Sequence, residues 1–475
     1  MGLRPAQVAV LAGSVAVAIA AVMTMPSGHG LLLGVVAALV GLPVAVVPVH
    51  GRTLDQWLPV LARWGVVVAG RRRLWASTAP AQGDTATEEW ADPPPPLAGV
   101  KLLRVRRPGA SDLAVVADRR RAQYSAVIAC KGQAFALLDP QEQDRLAALW
   151  GQVLASLAQE GSPVSRIAWV ERAVPEDGAA LAAHLADHAA VESDHPAHHS
   201  SLNLIGEAGP VSQAHDTYLV LAVGGPRARR AIRQAGGGAA GACQVLLREV
   251  AMISDRLRHA EIDATRVLDP GRLAAVVRSA FDPHALRQLA ARARRDPERT
   301  GPTGRNAWPL ATRVEWDHYR TDTGVHATFW IAEFPRRDVG AAFLFPLLLQ
   351  PTAIRSVAVV MEPVPPSTAA RAVESAHASH VAEEELRAKA GYLPSARRRK
   401  EHEAILAREA ELADGHAEYR FSAYVTVTAM GLDQLEHGCG EIEQLGFDAG
   451  LELRRLYGEQ DTAFTYTLPL ARGLR

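Results

Sequence analysis

Two long apolar runs open the chain. Ala6–Met25 and Leu31–Val49 carry no charged residue, and each is near the ~20 apolar residues that span a bilayer core of about 30 Å. The breaker-rich turn Pro26-Ser27-Gly28-His29-Gly30 separates them. The pattern predicts a two-helix transmembrane hairpin over residues 1–50. A cleaved signal peptide would account for the first run but not the second; a buried soluble hairpin is the other alternative. Residues 51–75 follow with Trp57, Leu58, Leu61, Trp64 and Val68 at helical spacing beside Arg63 and Arg71-Arg72-Arg73. Trp and Arg together suit a membrane–water interface, so this stretch reads as a juxtamembrane interfacial helix. The alternative is a helix packed on the next domain. Residues 76–99 are polar and end near Pro93-Pro94-Pro95-Pro96, which reads as a stiff linker.

Beyond the linker, strand and helix patterns alternate. Strands are expected at Leu113–Ala117, Tyr124–Cys130, Ala134–Leu138, Val164–Val174, Asp216–Val223 and Ala264–Leu268. Asp139 with Pro140 is an N-cap and first-turn pair opening a helix over Gln141–Glu160. Further helices are expected near Asp177–Val191, Ser200–Leu204, Cys243–His259 and Leu273–Arg295. After the loop Asp296–Arg305 a similar order begins again. Paired strands Val314–Arg320 and Val325–Phe334 flank the turn Thr321-Asp322-Thr323-Gly324. Asp338 caps a short helix to Leu349, and strands Ile354–Val364 and Tyr419–Ala429 flank a charged helical region, Thr368–Leu412, broken near Gly391–Pro394. A helix over Leu432–Leu445 and a short element at Leu451–Arg455 complete the pattern. The fold class expected is therefore the hairpin plus an α+β cytoplasmic region. That region divides into two pseudo-repeated α+β modules, 100–297 and 298–475, each opening with paired strands.

Composition adds location. The 475 residues hold 51 Lys+Arg and 51 Asp+Glu, a net charge of zero. That balance argues against a chain driven onto nucleic acid by charge. Residues 1–80 contain six Arg and one Asp, a net +5, leaving −5 for the rest. No Lys or Arg lies between the two apolar runs, and Arg4, Arg52, Arg63 and Arg71–Arg73 flank them. The positive-inside rule then puts both ends in the cytoplasm, with the protein a two-pass component of the cell membrane. Cys130, Cys243 and Cys439 are scattered and odd in number, which agrees with a reducing compartment. Only four of the basic residues are Lys, so arginine runs carry less functional weight here.

Three segments carry a resemblance: Gly51-Arg52-Thr53-Leu54-Asp55-Gln56-Trp57; Gly132-Gln133-Ala134-Phe135-Ala136-Leu137-Leu138-Asp139 continuing through Arg145; and Gly161-Ser162-Pro163-Val164-Ser165-Arg166-Ile167-Ala168-Trp169-Val170-Glu171-Arg172. With the hairpin, they resemble actinobacterial integral-membrane proteins of conjugation loci that encode a type IV secretion ATPase. The element order is similar to the non-motor N-terminal region of such ATPases. The layout also resembles EccE, a membrane component of type VII secretion. The resemblance implies architecture and partners: the lipid bilayer, a secretion ATPase, other membrane subunits and further copies of the chain.

Chemical motifs are sparse. A GxxxxGK[ST] loop is missing from the sequence. Gly236-Gly237-Gly238-Ala239-Ala240-Gly241 precedes a helix but lacks the phosphate-binding Lys, and reads as a loop. His184 and His188 lie i,i+4, with Asp187, Asp194, His195, His198 and His199 nearby. A metal could use that spacing, but no HExxH occurs, and a solvated helix end is the simpler reading. His402 reads as part of a solvated helix face. Arg227–Arg230 and Arg397–Lys400 are basic runs that could touch DNA or anionic lipid. Catalytic, cofactor and metal residues are therefore none, and direct nucleic-acid binding is not expected. The function expected is a non-enzymatic structural subunit of a secretion or conjugation apparatus. The alternatives are a membrane-anchored enzyme or a DNA-handling adaptor without a recognisable motif.

Overall fold

The computed structural model describes residues 5–24, 32, 35–36, 51–77, 92–107, 110–131, 135–175, 178–208, 213–295, 307–335, 337, 339–340, 342–349, 353–389 and 396–474. Helix α1 covers Pro5–Thr24. The expected transmembrane hairpin is not supported. Among the described residues, no helix is long and apolar enough to cross a membrane. The second apolar run lies outside the described residues except for Leu32, Val35 and Val36. Helix α2 is Leu54–Ala69, followed by strand β1, Leu74–Ala76.

The body is α+β, built on one antiparallel sheet. Its first strands are β2 (Val100–Arg107), β3 (Ala110–Asp118) and β4 (Gln123–Lys131). Then come α3 (Pro140–Leu157), β5 (Val164–Pro175), α4 (Ala179–His188), α5 (Pro196–Ala208) and β6 (Gln213–Gly224). Next are α6 (Gly225–Gln234), α7 (Gly238–His259), β7 (Asp263–Val267), α8 (Pro270–Phe281) and α9 (Ala285–Arg295). Two short strands, β8 (Ala311–Val314) and β9 (Tyr319–Arg320), precede β10 (Val325–Glu333) and α10 (Phe345–Leu349). The chain continues through β11 (Ile354–Pro363), α11 (Pro366–Lys389), α12 (Ala396–Ala413) and β12 (Tyr419–Ala429). It ends with α13 (Leu432–Asp448), β13 (Glu452–Arg455) and α14 (Gln460–Phe464).

The strand order runs β1-β8-β9-β10-β12-β11-β5-β6-β4-β3-β2, with β13 beside β10 and β7 beside β4. Read from β4 and setting aside the intervening helices α4, α5 and α6, the chain follows β4-α3-β5-β6-α7-β7, and the strands lie in the order β7-β4-β6-β5. Read from β10 and setting aside α11 and α12, it follows β10-α10-β11-β12-α13-β13, and the strands lie β13-β10-β12-β11. Both are the split βαβ arrangement. The two units meet edge to edge through β5 and β11, from Arg355↔Ala173 to Met361↔Ile167.

Alternation along the strands divides the core. On one face, Leu113, Ile128, Ile167 and Leu221 pack under α3, α6 and α7. In the second unit Phe329, Val357 and Val425 pack under α10 and α13 through Leu347, Leu435 and Ile442. The other face is covered by α8 and by the C-terminal strap after β13. Val170, Tyr218, Ala222 and Ala358 meet Leu273, Val277, Phe281, Phe464, Leu468 and Leu470 there. In the second unit this face is polar but satisfied. Thr328 pairs with Thr426 (2.8 Å) and Thr426 with Thr467 (2.7 Å), while the Thr328 N–H donates to Gln460 Oε1 (2.8 Å).

Local chemistry explains several elements. Asp139 caps α3 by accepting from the Glu142 N–H at 3.0 Å, and Asp269 caps α8 from Arg272 at 2.9 Å. The strand expected at Ala134–Leu138 is instead a 3₁₀ turn at Phe135–Leu137, held as Gln143 Nε2 donates to the Phe135 and Leu138 carbonyls. The proline run packs on the body: Pro95–Leu97 forms a 3₁₀ turn and Leu97 is fully buried. Residues 78–91 of the expected linker, the loop 296–305, the cap Asp338 and the break 391–394 lie outside the described residues, apart from the stretches around them.

Candidate functional site

Helix α2 has two dissimilar faces. Its inner face holds Trp57 and Val60, both buried, with Trp64 alongside. Trp57 stacks on Trp316 with centroids 5.8 Å apart, and Trp64 meets Trp316 edge-on at 5.5 Å. Tyr457 joins the cluster at 6.4 Å from both Trp57 and Trp316. Arg52 lies over the Trp57 ring and Arg73 over the Trp64 ring. The same arginines reach acids of the body. Arg52 meets Glu459 at 3.2 Å, Arg63 meets Asp461 at 2.7 Å and Thr462 at 2.6 Å, and Arg73 pairs with Glu315. The tryptophans, with Arg63 and Arg73 of the arginines that suggested a bilayer interface, thus bind the helix to the protein itself, and Arg52 joins them.

The outer face of α2 is apolar. Leu58 and Val66 are each 62% exposed, and Leu61 and Val68 are also exposed. From Leu58 to Ala69 the only charged residue is Arg63, which faces Asp461. Arg71 and Arg72 are exposed just beyond the helix. This is a rigidly mounted apolar ridge with cations at its end.

A second cluster sits at the junction of the two units. Glu171 on β5 is buried and accepts from His215 Nδ1 at 2.6 Å. Arg355 on β11 is fully buried, donates to Gln213 Oε1 at 2.9 Å and also reaches the Leu348 carbonyl. Burial raises the Glu171 carboxyl above the ordinary carboxylate range; the His215 contact and the Arg355 charge oppose that shift. On the opposite side of β5, Arg172 donates to Ser279 Oγ at 2.7 Å and to the Ser279 carbonyl at 2.8 Å, tying α8 to the sheet. These groups brace the junction. Only their alternation on the strand hinted at two buried faces; their partners come from β6, α8 and α10.

The other sequence candidates separate. His184 and His188 stack at 4.2 Å, and His188 Nδ1 lies against the His184 carbonyl at 3.1 Å. His195, Asp187, Asp194 and His199 are exposed, and His198 is buried. Among the described residues, no group of three or more His, Cys, Asp or Glu side chains could hold a metal ion. His402 is brought beside His380 (4.9 Å) and His377 (5.7 Å) by the α11–α12 hairpin, a grouping no spacing announced. Gly236–Gly238 form the turn between α6 and α7 with positive φ. Gly241 lets the helices approach: a Cβ there would lie 2.6 Å from the Ile232 carbonyl oxygen. Arg227 caps carbonyls at Pro363 (2.6 Å) and Ser162 (3.2 Å), whereas Arg229 and Arg230 are exposed. Of Arg397–Lys400, the side chains of Arg399 and Lys400 are described, and both are exposed. Cys130 on β4 is partly buried against the core, and that burial pushes its thiol up to about 11.

A known family matches a central stretch of the chain, outside the β5 and β11 strands that form the junction. No curated protein matches the chain. A family model described as a type VII ESX secretion system translocon, EccE, matches residues 211–331. That stretch runs from the start of β6 through α7 and α8 into β10, so it includes the passage from one unit to the other. Over those residues, the chain is similar to the EccE translocon family of type VII ESX secretion systems.

Proposed function

We propose that this chain is a non-enzymatic structural subunit of a type VII-like secretion apparatus, and that its body docks other subunits, a secretion ATPase among them. The observation that carries this reading is the translocon-family match over residues 211–331. The match favours a type VII context over the conjugation-type one. Helix α2 serves as the interfacial element: its outer ridge of Leu58, Leu61, Val66 and Val68 rests on the bilayer, with Arg71 and Arg72 toward anionic headgroups. The three free cysteines support a body on the cytoplasmic side.

The test is affinity purification of the full chain from native membranes in mild detergent. Recovery with an ATPase or other translocon subunits is expected. Recovery only from the soluble fraction, as a lone monomer, overturns the proposal. The Leu58→Asp, Leu61→Asp, Val66→Asp triple variant should leave the membrane fraction while keeping its circular dichroism spectrum. Unchanged membrane recovery would remove the role given to α2.

A further inference from the structure

Four arginines from four segments meet where the C-terminal strap ends, and a fifth, Arg227, lies within reach of the Glu362 charge. Arg121 comes from the β3–β4 turn, Arg166 from β5, Arg227 from α6, Arg420 from β12 and Arg472 from the strap. Arg121 Nε and Arg472 Nε approach the same oxygen, Asp118 Oδ2, at 3.7 and 3.5 Å. Arg166 and Arg420 likewise share one oxygen, Glu362 Oε2, at 3.8 and 3.4 Å. All four contacts are longer than a charge-assisted hydrogen bond of about 2.7–2.9 Å. Arg472 is buried, yet its Nε has no hydrogen-bond partner among the described residues, nor has Asp118 Oδ2.

Positive charge is in excess here. With Arg120, whose charge also bears on Arg472, six guanidiniums face Asp118, Glu362 and, beside Arg227, Glu160, a balance of +3. Burial lowers the Arg166 and Arg472 guanidiniums, and the neighbouring Arg121 lowers both further. Two of these arginines also hold the strap: Arg472 donates to the Pro96 carbonyl at 2.7 Å and Arg166 to the Ala471 carbonyl at 3.5 Å. Arg420 is 68% exposed and opens the cluster to solvent.

We propose that this cluster binds a phosphate-type oxyanion. A phosphoryl group carries about −1.5 to −2 charge at neutral pH and offsets more of the local excess than a single carboxylate would. Guanidinium forks suit its oxygens in bidentate geometry. The group comes either from a soluble phosphate compound or from an anionic lipid headgroup.

The full-length protein is titrated with inorganic phosphate against sodium chloride of matched ionic strength, followed by thermal melting and calorimetry. Its retention on phosphatidylglycerol and phosphatidylcholine vesicles is measured in parallel. Saturable stabilisation by phosphate is expected, with affinity at least about tenfold weaker in Arg420→Gln and Arg166→Gln and unchanged in the exposed control Arg287→Gln. Arg420→Gln carries the test if Arg166→Gln loosens the strap. Vesicle retention that needs phosphatidylglycerol and falls in Arg420→Gln assigns the group to lipid; phosphate binding without it assigns a soluble ligand. Phosphate and chloride acting alike, or binding indifferent to Arg420, overturns the proposal.

Discussion

His326 on β10 offers a sharp test of how the second unit is held together. The ring is fully buried between the sheet and the C-terminal strap, 4.4 Å from Phe464 by centroids. Nε2 lies 2.8 Å from Thr321 Oγ1 and Nδ1 lies 2.9 Å from Thr428 Oγ1. The Thr321 hydroxyl donates to the Phe281 carbonyl, so it accepts from His326; the neutral ring therefore carries its proton on Nε2. Burial, aided by the Arg172 charge, pushes the imidazole from 6.5 down to about 3. Below pH 6.5 the unfolded chain takes up a proton that the folded chain refuses. Stability then falls with pH by up to about 1.4 kcal/mol per unit. Between pH 7.5 and 4.5 the loss from this one residue is on the order of 2 to 3 kcal/mol. Urea unfolding of wild type and His326→Gln at pH 7.5, 6.5, 5.5 and 4.5 isolates it, because contributions common to both chains cancel in the difference. Wild type should lose roughly 2 to 3 kcal/mol more than the variant across that range. Parallel curves would refute the assignment of a buried neutral histidine.

Other consequences are as direct. Trp316→Ala removes the surface on which Trp57 and Trp64 pack and should cost about 2 kcal/mol or more; limited proteolysis should then cut between residues 51 and 77 before the body. Gly473→Ala places a Cβ 2.7 Å from Tyr466 Cγ at φ +107°, so it should lower the melting temperature far more than Gly236→Ala, where φ is +96° but the space is open. Burial pushes Cys130 up to about 11 and Cys439 up to about 12, and raises Cys243. All three thiols should therefore react slowly with a disulfide reagent at pH 8 in the folded protein and quickly in denaturant; fast labelling of the native chain would contradict their burial.

Much of the body was legible in the sequence because the signals are local. Asp139-Pro140 announced a capped helix, and Asp139 does accept the Glu142 N–H. The alternation in Tyr419–Ala429 and the turn at Thr321–Gly324 announced strands that the sheet contains. Misreadings arose where distant partners decide. Residues 456–474 carry no strong periodicity, yet they form the strap that covers one sheet face, because their side chains are matched to β10 and β12 rather than to each other. Strand β2 escaped notice because its exposed edge carries Lys101, Arg104 and Arg106 among the apolar positions; such charges protect a sheet edge.

Sequence alone determined which segments are apolar, where helices begin, and that positive charge gathers around residues 52–73. It could not say what those charges do. Tryptophan and arginine suit a bilayer interface and a protein interface equally, since both offer apolar surface beside polar groups. Only the tertiary structure brought Glu315, Glu459 and Asp461, roughly 240 to 410 positions away in the chain, within reach of Arg73, Arg52 and Arg63. It likewise turned four scattered arginines and Arg227 into one cluster around Asp118 and Glu362. Charge is written locally, but its energy depends on distance and burial, and folding sets both.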